Sequence, residues 1–192
     1  RYSLLDVDNP ITYGPNDLPD AYTEHKYQQV IAMQNADRVI REVGAEFGGR
    51  FGRLYDMVER YRLDDAETAI VVLSSTAGIV KEVVDALRDE GRKVGLLRPR
   101  VFRPFPARDI VEALKGLRAV AVMDRSLSFG AEGGPVFTEI RDALFDCEPH
   151  PKIVSRVFGL GGRAVARDEI RKIYDELDSD RPAKFRLVGV RE

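Results

Sequence analysis

The sequence predicts an α/β fold, a three-layer sandwich with helices on both faces of a mostly parallel sheet, and three observations support it. Beyond Asp64, four short runs rich in apolar and β-branched residues recur at 68–73, 93–97, 118–123 and 152–157. Their apolar residues stand at consecutive positions, which is typical of strands buried on both faces. Each run precedes a loop and a helical pattern, and such alternation favours parallel pairing.

The helices of this region follow from the spacing of their apolar residues. The helix after the first run closes at Gly91, and the helix after the second run follows a proline-rich loop. The residues at helical spacing are Ile79, Val80, Val83, Val84 and Leu87; Ile110, Val111 and Leu114; Val136, Phe137, Ile140 and Leu144; and Ile170, Ile173, Tyr174 and Leu177. The ending at 184–190 is expected to add an edge strand or to lie on a partner.

The first 62 residues are organised differently and are predicted to precede the α/β domain of residues 63–192. Residues 1–20 contain three breaker pairs with proline, which favours an extended arm. Residues 21–43 have apolar positions at helical spacing and predict one long amphipathic helix. Glycines interleaved with phenylalanine and arginine at 44–53 predict a linker, followed by a short helical or loop segment at 54–62.

The composition argues against several classes of function. Lysine plus arginine number 30 against 32 aspartate plus glutamate, a net charge of −2, and no basic arm is present, so we expect no nucleic-acid partner. One cysteine, Cys147, and two distant histidines cannot build a disulfide framework, a zinc site or an iron–sulfur ligand set. The apolar stretches are short and broken by charge, so we expect a soluble, cytoplasmic protein without a membrane partner.

Polar and glycine-rich loops follow the predicted strands and define the candidate functional site. In an open parallel sheet these loops gather at one edge, where ligands bind. Hydroxyls can cap helices there, and arginines offer forked donors to carboxylates or phosphates. The predicted anion-binding or subunit-docking edge consists of Ser74, Ser75, Thr76, Gly78, Arg98, Arg100, Arg103, Arg125, Ser128, Gly133, Gly134, Gly159, Gly161, Gly162 and Arg163. The alternative interpretation is that these residues are ordinary caps and close-packed turns.

The loop 124–135 is the most informative of these junctions. It joins an apolar run to a helix, so its backbone N–H groups and the positive end of the helix dipole can receive an anion or a partner's carboxylate.

The sequence does not support a more specific catalytic or cofactor-binding motif. The glycines at 159–162 lack the dinucleotide-binding spacing because position 164 is Ala164, and no phosphate-binding P-loop motif occurs. Asp124 ends a strand as a phosphoacceptor would, but the first strand lacks the acidic pair that a magnesium site requires. His25, His150 and Cys147 have no plausible catalytic partner nearby in sequence. We therefore assign no catalytic, cofactor-binding or metal-binding residue to this chain.

Seven ordered segments carry a family resemblance that spans nearly the whole chain. They are 8–14, the helix from Tyr27 to Ala36, 71–78, 94–106, 120–126, 133–134 and 159–163. Together they resemble the C-terminal part of the alpha subunit of the pyruvate:ferredoxin oxidoreductases, or pyruvate synthases, in the 2-oxoacid:ferredoxin oxidoreductase family. Members of that family usually continue the last segment with aspartate, where this chain has Ala164.

The resemblance implies a transketolase C-terminal-like domain preceded by an arm and a long helix. The assembled enzyme would convert pyruvate, coenzyme A and oxidised ferredoxin to acetyl-CoA, carbon dioxide and reduced ferredoxin. Thiamine diphosphate, Mg and 4Fe–4S clusters would be carried by other domains or subunits. The implied partners are the pyrimidine-side domain, the diphosphate-binding beta subunit, the gamma subunit and a ferredoxin-like subunit.

Within such an assembly this region would be structural, would dock other subunits and would line the approach of coenzyme A. Two alternatives are a related enzyme for another 2-oxo acid, such as oxalate or a branched-chain oxo acid, and a free-standing anion- or nucleotide-binding α/β module.

Overall fold

Strands and helices alternate through most of the chain in the computed structural model, which describes residues 6–10, 14 and 16–191. The strands are β1 (Val58–Tyr61), β2 (Thr68–Val72), β3 (Val94–Pro99), β4 (Ala119–Asp124), β5 (Lys152–Val157) and β6 (Phe185–Leu187). The helices are α1 (Tyr22–Phe51), α2 (Thr76–Asp89), α3 (Ala107–Leu114), α4 (Pro135–Leu144) and α5 (Arg167–Leu177), with a 3-10 turn at Leu160–Gly162.

The strands form one sheet in the order β1-β3-β2-β4-β5-β6. Strands β3, β2, β4, β5 and β6 are mutually parallel, with Ile70 of β2 aligned with Leu96 of β3 and Ala121 of β4. Strand β6 pairs with β5 at the edge, which confirms the expected edge strand at 184–190. Strand β1 runs antiparallel to β3 at the opposite edge. The mostly parallel sheet that the sequence predicts is therefore confirmed.

Two hydrophobic layers cover the sheet, one on each face. Side chains alternate across β2, so Ile70 and Val72 pack with α2 and α5, whereas Ala69 and Val71 pack with α3 and α4. All five residues of β2 are buried, which explains why its sequence is apolar at consecutive positions. The three-layer α/β sandwich is thus confirmed.

The segment 54–62, predicted to be helical or loop, instead contains strand β1. Its four residues pair with β3, with Glu59 opposite Arg98 and Tyr61 opposite Leu96. The prediction was wrong because a short edge strand depends on a partner some 40 residues away rather than on its own pattern. The division of the chain at residue 63 stays a prediction, although β1 joins the sheet.

Helix α1 continues to Phe51, through the residues predicted to form a glycine linker. Gly44 serves close packing, because a Cβ atom there would lie 2.3 Å from the carbonyl oxygen of Tyr55. Phe47 packs on the ring of Tyr55, with ring centroids 5.6 Å apart. The helix ends at Gly52, whose φ of 66° is the left-handed conformation that favours glycine.

The apolar residues of α1 are mostly exposed among the residues that the structure describes. Gly44 is its one buried residue, and the main polar anchor is Arg41, whose Nη2 lies 2.6 Å from Oδ2 of Asp109. This guanidinium lowers the pKa of Asp109 below its ordinary value. The predicted amphipathic helix forms, but its exposed apolar residues include Tyr27, Val30, Ile31, Val39 and Val43.

The extended arm predicted at 1–20 falls partly on residues 1–5, 11–13 and 15, which lie outside the described residues. The described parts of the arm, 6–10, 14 and 16–20, contain neither a helix nor a strand. His25 of α1 approaches Asp17 of the arm at 2.8 Å. No described helix combines the length and hydropathy that a membrane crossing requires.

Candidate functional site at the carboxyl edge of the sheet

The carboxyl edge, formed by the loops 73–75, 100–106, 125–134 and 158–166, contains the point where the chain changes direction across the sheet. From β2 the chain crosses to β3 on one side and then to β4 on the other, so α2 and α4 cover opposite faces. Ligands bind at such a switch point in open α/β sheets. A crevice of about 300 Å³ lies there, with Met123 and Phe158 among its apolar walls and Ser74 and Arg125 among its polar residues.

Asp124, at the end of β4, occupies the amino terminus of α4. Its Oδ1 accepts the backbone N–H of Val136 at 3.0 Å, and its Oδ2 accepts that of Phe137 at 3.0 Å. The residue is only 2% exposed, and this burial raises the pKa of its carboxyl group while the two N–H donors partly oppose the shift. The N–H groups predicted to receive an external anion therefore already bind the chain's own carboxylate.

The glycines at 133 and 134 make room for this arrangement. Both are buried, and a Cβ atom on Gly134 would lie 2.4 Å from Cγ of Asp124. The preceding loop closes on itself through Ser128, whose N–H donates to the carbonyl of Gly133 at 3.2 Å. The close packing explains this pair of glycines without any ligand.

The amino terminus of α2 differs from that of α4. Ser75 is the residue before the first turn, and no side-chain hydrogen bond caps the helix. The predicted capping by hydroxyls at 74–76 is therefore wrong, because Ser75 has helical backbone angles of −68° and −27° rather than the extended conformation of a capping serine. Ser74 itself has a φ of 62°, and Gly78 faces open space.

Three of the predicted arginines are paired with carboxylates. Arg98 Nη1 and Arg100 Nη2 lie 3.3 Å and 2.8 Å from Oε2 of Glu59 on β1. Arg103 pairs with Glu139 of α4 and donates to its neighbouring carbonyl. These arginines therefore hold the β1–β3 side of the edge together.

Arg125 and Arg163 form the other group, because no carboxylate among the described residues pairs with either side chain. They flank Gly159, where a Cβ atom would lie 3.0 Å from Nε of Arg125 and 3.5 Å from the carbonyl oxygen of Arg163. Arg163 donates to the carbonyl of Gly189 beyond β6. Both residues are exposed, so two positive charges face solvent on the β4–β5 side.

The β5–α5 loop and the β4–α4 loop also expose apolar side chains. Phe129 is fully exposed in the β4–α4 loop, where Leu127 is also exposed, and Leu160 is exposed in the β5–α5 loop of the same edge. The loop containing Leu160 turns through Gly159, Gly161 and Gly162, whose φ values are 66°, 63° and 83°. This part of the carboxyl edge therefore combines unpaired arginines with exposed apolar tips.

The described residues do not assemble a set of groups for acid–base, nucleophilic or metal chemistry. Cys147 is a half-buried free thiol, and Nδ1 of His150 donates to the backbone carbonyl oxygen of Cys147 at 3.1 Å in a surface turn. No group of three or more histidine, cysteine, aspartate or glutamate side chains within the described part could hold a metal ion. The exposed guanidinium groups and apolar side chains of this edge are chemically suited to anions and to other protein surfaces.

Comparison with known proteins identifies the family. Residues 66–170 match the family described as pyruvate:ferredoxin oxidoreductase core domain II. The chain belongs to this family. Over the whole chain it is 47% identical to pyruvate synthase subunit PorA of Thermotoga maritima, of which it covers 49%. It is 44% identical to ketoisovalerate oxidoreductase subunit VorA of Pyrococcus furiosus, covering 92% of this chain and 45% of that subunit.

The chain spans about half the length of the curated relatives it matches. Among solved structures, it is similar to a 2-oxoglutarate:ferredoxin oxidoreductase from Magnetococcus marinus, with a TM-score of 0.53 and 19% identity over 85% of this chain and 24% of that one. This similarity shows the fold and is consistent with the transketolase C-terminal-like domain that the sequence resemblance implied.

Sequence reasoning missed two residues that organise the edge, Glu59 and Lys81. It also missed that Asp124 caps α4. Glu59 was missed because the strand that carries it was not predicted. Lys81 was missed because no feature of the sequence around it in α2 indicates a carboxylate partner on another strand. Asp124 could have been recognised, since an aspartate at a strand end before a Gly-Gly-Pro helix start has the chemistry of a helix cap.

Proposed function

We propose that the complete protein is the alpha subunit of a thiamine-diphosphate-dependent 2-oxoacid:ferredoxin oxidoreductase that acts on pyruvate. The reaction would oxidatively decarboxylate pyruvate to acetyl-CoA and reduce ferredoxin. The observation that carries this proposal is the 47% identity to a pyruvate synthase subunit over the whole of this chain.

A second candidate substrate is a branched-chain 2-oxo acid. Three ketoisovalerate oxidoreductase subunits match this chain at 40–44% identity over 92% of its length. These values lie close to the 37–47% of the pyruvate synthase subunits, so identity alone favours pyruvate only slightly. The free-standing module and an oxalate-specific enzyme have no such observation in their favour.

The redox and thiamine cofactors of this enzyme would be held outside this chain. A 4Fe–4S cluster needs four thiolate ligands, and the chain has one cysteine. The described residues also offer no acidic cluster for the magnesium ion that would accompany the diphosphate. We therefore derive no chemical step from this region.

The role that we propose for this region is to dock other subunits and to line the approach of coenzyme A. Arg125 and Arg163 support the second part, because unpaired guanidinium groups suit phosphate oxygens. The exposed apolar residues Leu127, Phe129 and Leu160 in two loops of this edge support the first part, since exposed apolar surface is typical of interaction sites. The similar oxidoreductase from Magnetococcus marinus is described with coenzyme A bound.

The substrate is tested by isolating the complex that contains this chain, anaerobically and from its native source. We expect coenzyme A-dependent and thiamine-diphosphate-dependent viologen reduction that is fastest with pyruvate in a panel of 2-oxo acids. Fastest reduction with 2-oxoisovalerate would replace pyruvate by a branched-chain substrate. A complex without 2-oxo-acid-dependent reduction would refute the oxidoreductase assignment.

The coenzyme A role is tested by charge reversal in the assembled enzyme. We expect Arg125→Glu with Arg163→Glu to raise the KM for coenzyme A about tenfold or more, with a smaller change in the KM for the 2-oxo acid. Arg181→Glu is the matched control, because Arg181 is also exposed and unpaired among the described residues but precedes β6 at the opposite edge. An unchanged KM for coenzyme A in an intact complex would refute this role.

A further inference from the structure

One carboxylate on β1 is shared by three cations. Oε2 of Glu59 lies 2.8 Å from Nη2 of Arg100 and 3.3 Å from Nη1 of Arg98, and its Oε1 contacts Nζ of Lys81. Burial opposes ionisation of Glu59, but hydrogen bonds and charge from Lys81 and Arg100 outweigh it and lower the pKa of its carboxyl group. With Arg98, the cluster carries one negative and three positive charges. An excess of two positive charges therefore lies within one hydrogen-bonded group.

Three separate elements hold these side chains in place. The antiparallel register sets Glu59 opposite Arg98, Arg100 follows two residues later, and Lys81 comes from α2. The guanidinium of Arg100 lies over the ring of Tyr55 at 4.6 Å, and the ammonium of Lys81 lies over the ring of Tyr61 at 5.0 Å. Aromatic faces attract cations and restrict their rotamers, so the cluster is organised before any ligand arrives.

The neighbouring acidic residues do not neutralise the excess charge. Asp85 accepts the hydroxyl of Tyr61 at 2.7 Å and pairs with Arg62 at 2.8 Å. Asp56 accepts its neighbour's backbone N–H at 2.7 Å and lies 3.4 Å from Arg41. Each of these carboxylates is therefore already engaged with a donor outside the cluster.

The arginines of the cluster retain unused donors. Arg98 and Arg100 each give one terminal nitrogen to Glu59, and the buried Nε of Arg100 has no hydrogen-bond partner among the residues that the structure describes. The network around Arg41 has an excess of negative charge, because its one guanidinium group contacts the carboxylates of Asp37, Asp56 and Asp109. The described part of the chain thus contains one acid-rich and one cation-rich network, and the cation-rich one has donors to spare.

We propose that Lys81, Arg98 and Arg100 bind a phosphoryl group of a small ligand, with Glu59 as the internal counter-ion that the ligand competes against. Forked guanidinium donors fit phosphate oxygens, and two excess positive charges match a phosphate dianion better than a single carboxylate. This site is separate from the Arg125 and Arg163 pair and does not rest on the proposed activity.

The site is tested by titrating inorganic phosphate into the 192-residue chain at constant ionic strength while recording amide and arginine side-chain NMR shifts. We expect saturable shifts centred on Arg98 and Arg100. Glu59→Gln should tighten binding about fivefold or more, since it removes the competing charge, and Arg98→Gln should weaken binding by a similar factor. Arg118→Gln, a paired arginine at the opposite edge, should leave the affinity unchanged.

Each variant is also heated with and without phosphate, because a ligand that binds only the folded state raises Tm. A larger phosphate-induced rise in Tm for Glu59→Gln than for the unaltered chain supports the site. Equal phosphate affinity in the unaltered chain and in Arg98→Gln would overturn it. Tighter binding of acetate than of phosphate would also overturn it and would point to a carboxylate of a partner protein.

Discussion

Two arginines at the amino edge of the sheet, Arg92 and Arg118, differ in their pairing from two at the carboxyl edge, Arg125 and Arg163. At the amino edge, which comprises the loops that precede the parallel strands, Arg92 binds Asp175 at 2.6 Å and Asp178 at 2.7 Å. Arg118 binds Asp178 at 2.8 Å and donates to the carbonyl of Leu177. At the carboxyl edge Arg125 and Arg163 have no carboxylate partner among the described residues.

Helix dipoles favour arginines at the amino edge of the sheet and disfavour them at the carboxyl edge. Helices α2 to α5 end at the amino edge, where cations stabilise their last carbonyl groups. The same helices begin at the carboxyl edge, where a cation opposes the dipole and a carboxylate such as Asp124 stabilises it. Arg125 and Arg163, which have no carboxylate partner among the described residues, therefore do little for the stability of this fold, which favours a role in binding.

The largest predicted effect comes from the packing behind the carboxyl edge. Gly134→Ala places a methyl group 2.4 Å from Cγ of Asp124 and 2.5 Å from the carbonyl oxygen of Ser126. We expect it to lower the free energy of unfolding by about 2–3 kcal/mol in urea denaturation. Gly78→Ala is the control, because no atom lies within 4 Å of its added Cβ, and it should stabilise α2 by about 0.5–1 kcal/mol. Equal effects of both variants would contradict the packing argument.

The next effect concerns the cap of α4. Asp124→Asn leaves one of two backbone donors without its carboxylate acceptor and should cost about 1–2 kcal/mol of unfolding free energy. Burial raises the folded-state pKa of Asp124, so the stability linked to its protonation is present below the unfolded pKa and lost as pH rises through the folded pKa. The destabilisation by Asp124→Asn should therefore shrink with rising pH across that window. If denaturation curves show a destabilisation that grows with pH, the folded-state pKa of Asp124 is not raised.

A smaller effect is expected at the amino edge. Arg118→Gln removes an exposed ion pair with Asp178 and one hydrogen bond to the end of α5, so we expect a loss of about 0.5–1 kcal/mol. The loss should diminish in high salt, because salt screens exposed charges. A thermal unfolding series at low and high ionic strength measures both quantities. If Arg118→Gln does not lower the unfolding free energy at low salt, Arg118 does not stabilise the fold. The proposed difference between the two edges would then be wrong.

The smallest stability effect is predicted for Arg125→Gln at the carboxyl edge. Because no acidic side chain in the described part of the chain pairs with it, the unfolding free energy should change by less than about 0.5 kcal/mol. The same denaturation measurement, run beside Arg118→Gln, makes the comparison direct. A loss larger than that of Arg118→Gln would show that Arg125 stabilises the fold and would weaken its assignment to binding.

The sequence predicted the sheet better than it predicted the edge that the sheet supports. Strands β2, β4 and β5 have buried consecutive residues such as Ile70 and Val71, so their pattern is local and readable. Strand β1 depends on a distant partner, β3. At the end of α1, Gly44 and Gly48 suggested a linker where they serve packing against the residues that follow the helix. The edge residues were predicted by type, but their pairing depended on Glu59 and Asp124, which only the folded register brings into place.

The anchoring of α1 has a geometric consequence. From Tyr22 to the anchor at Arg41 the helix extends about 28 Å at 1.5 Å per residue. A rotation of about 5° at that anchor would displace the far end by about 2.5 Å, roughly half a helical turn. A small change in the ion pairs around Arg41 would therefore move Tyr22 by about half a helical turn. The length of α1 thus amplifies a small rotation at its anchor.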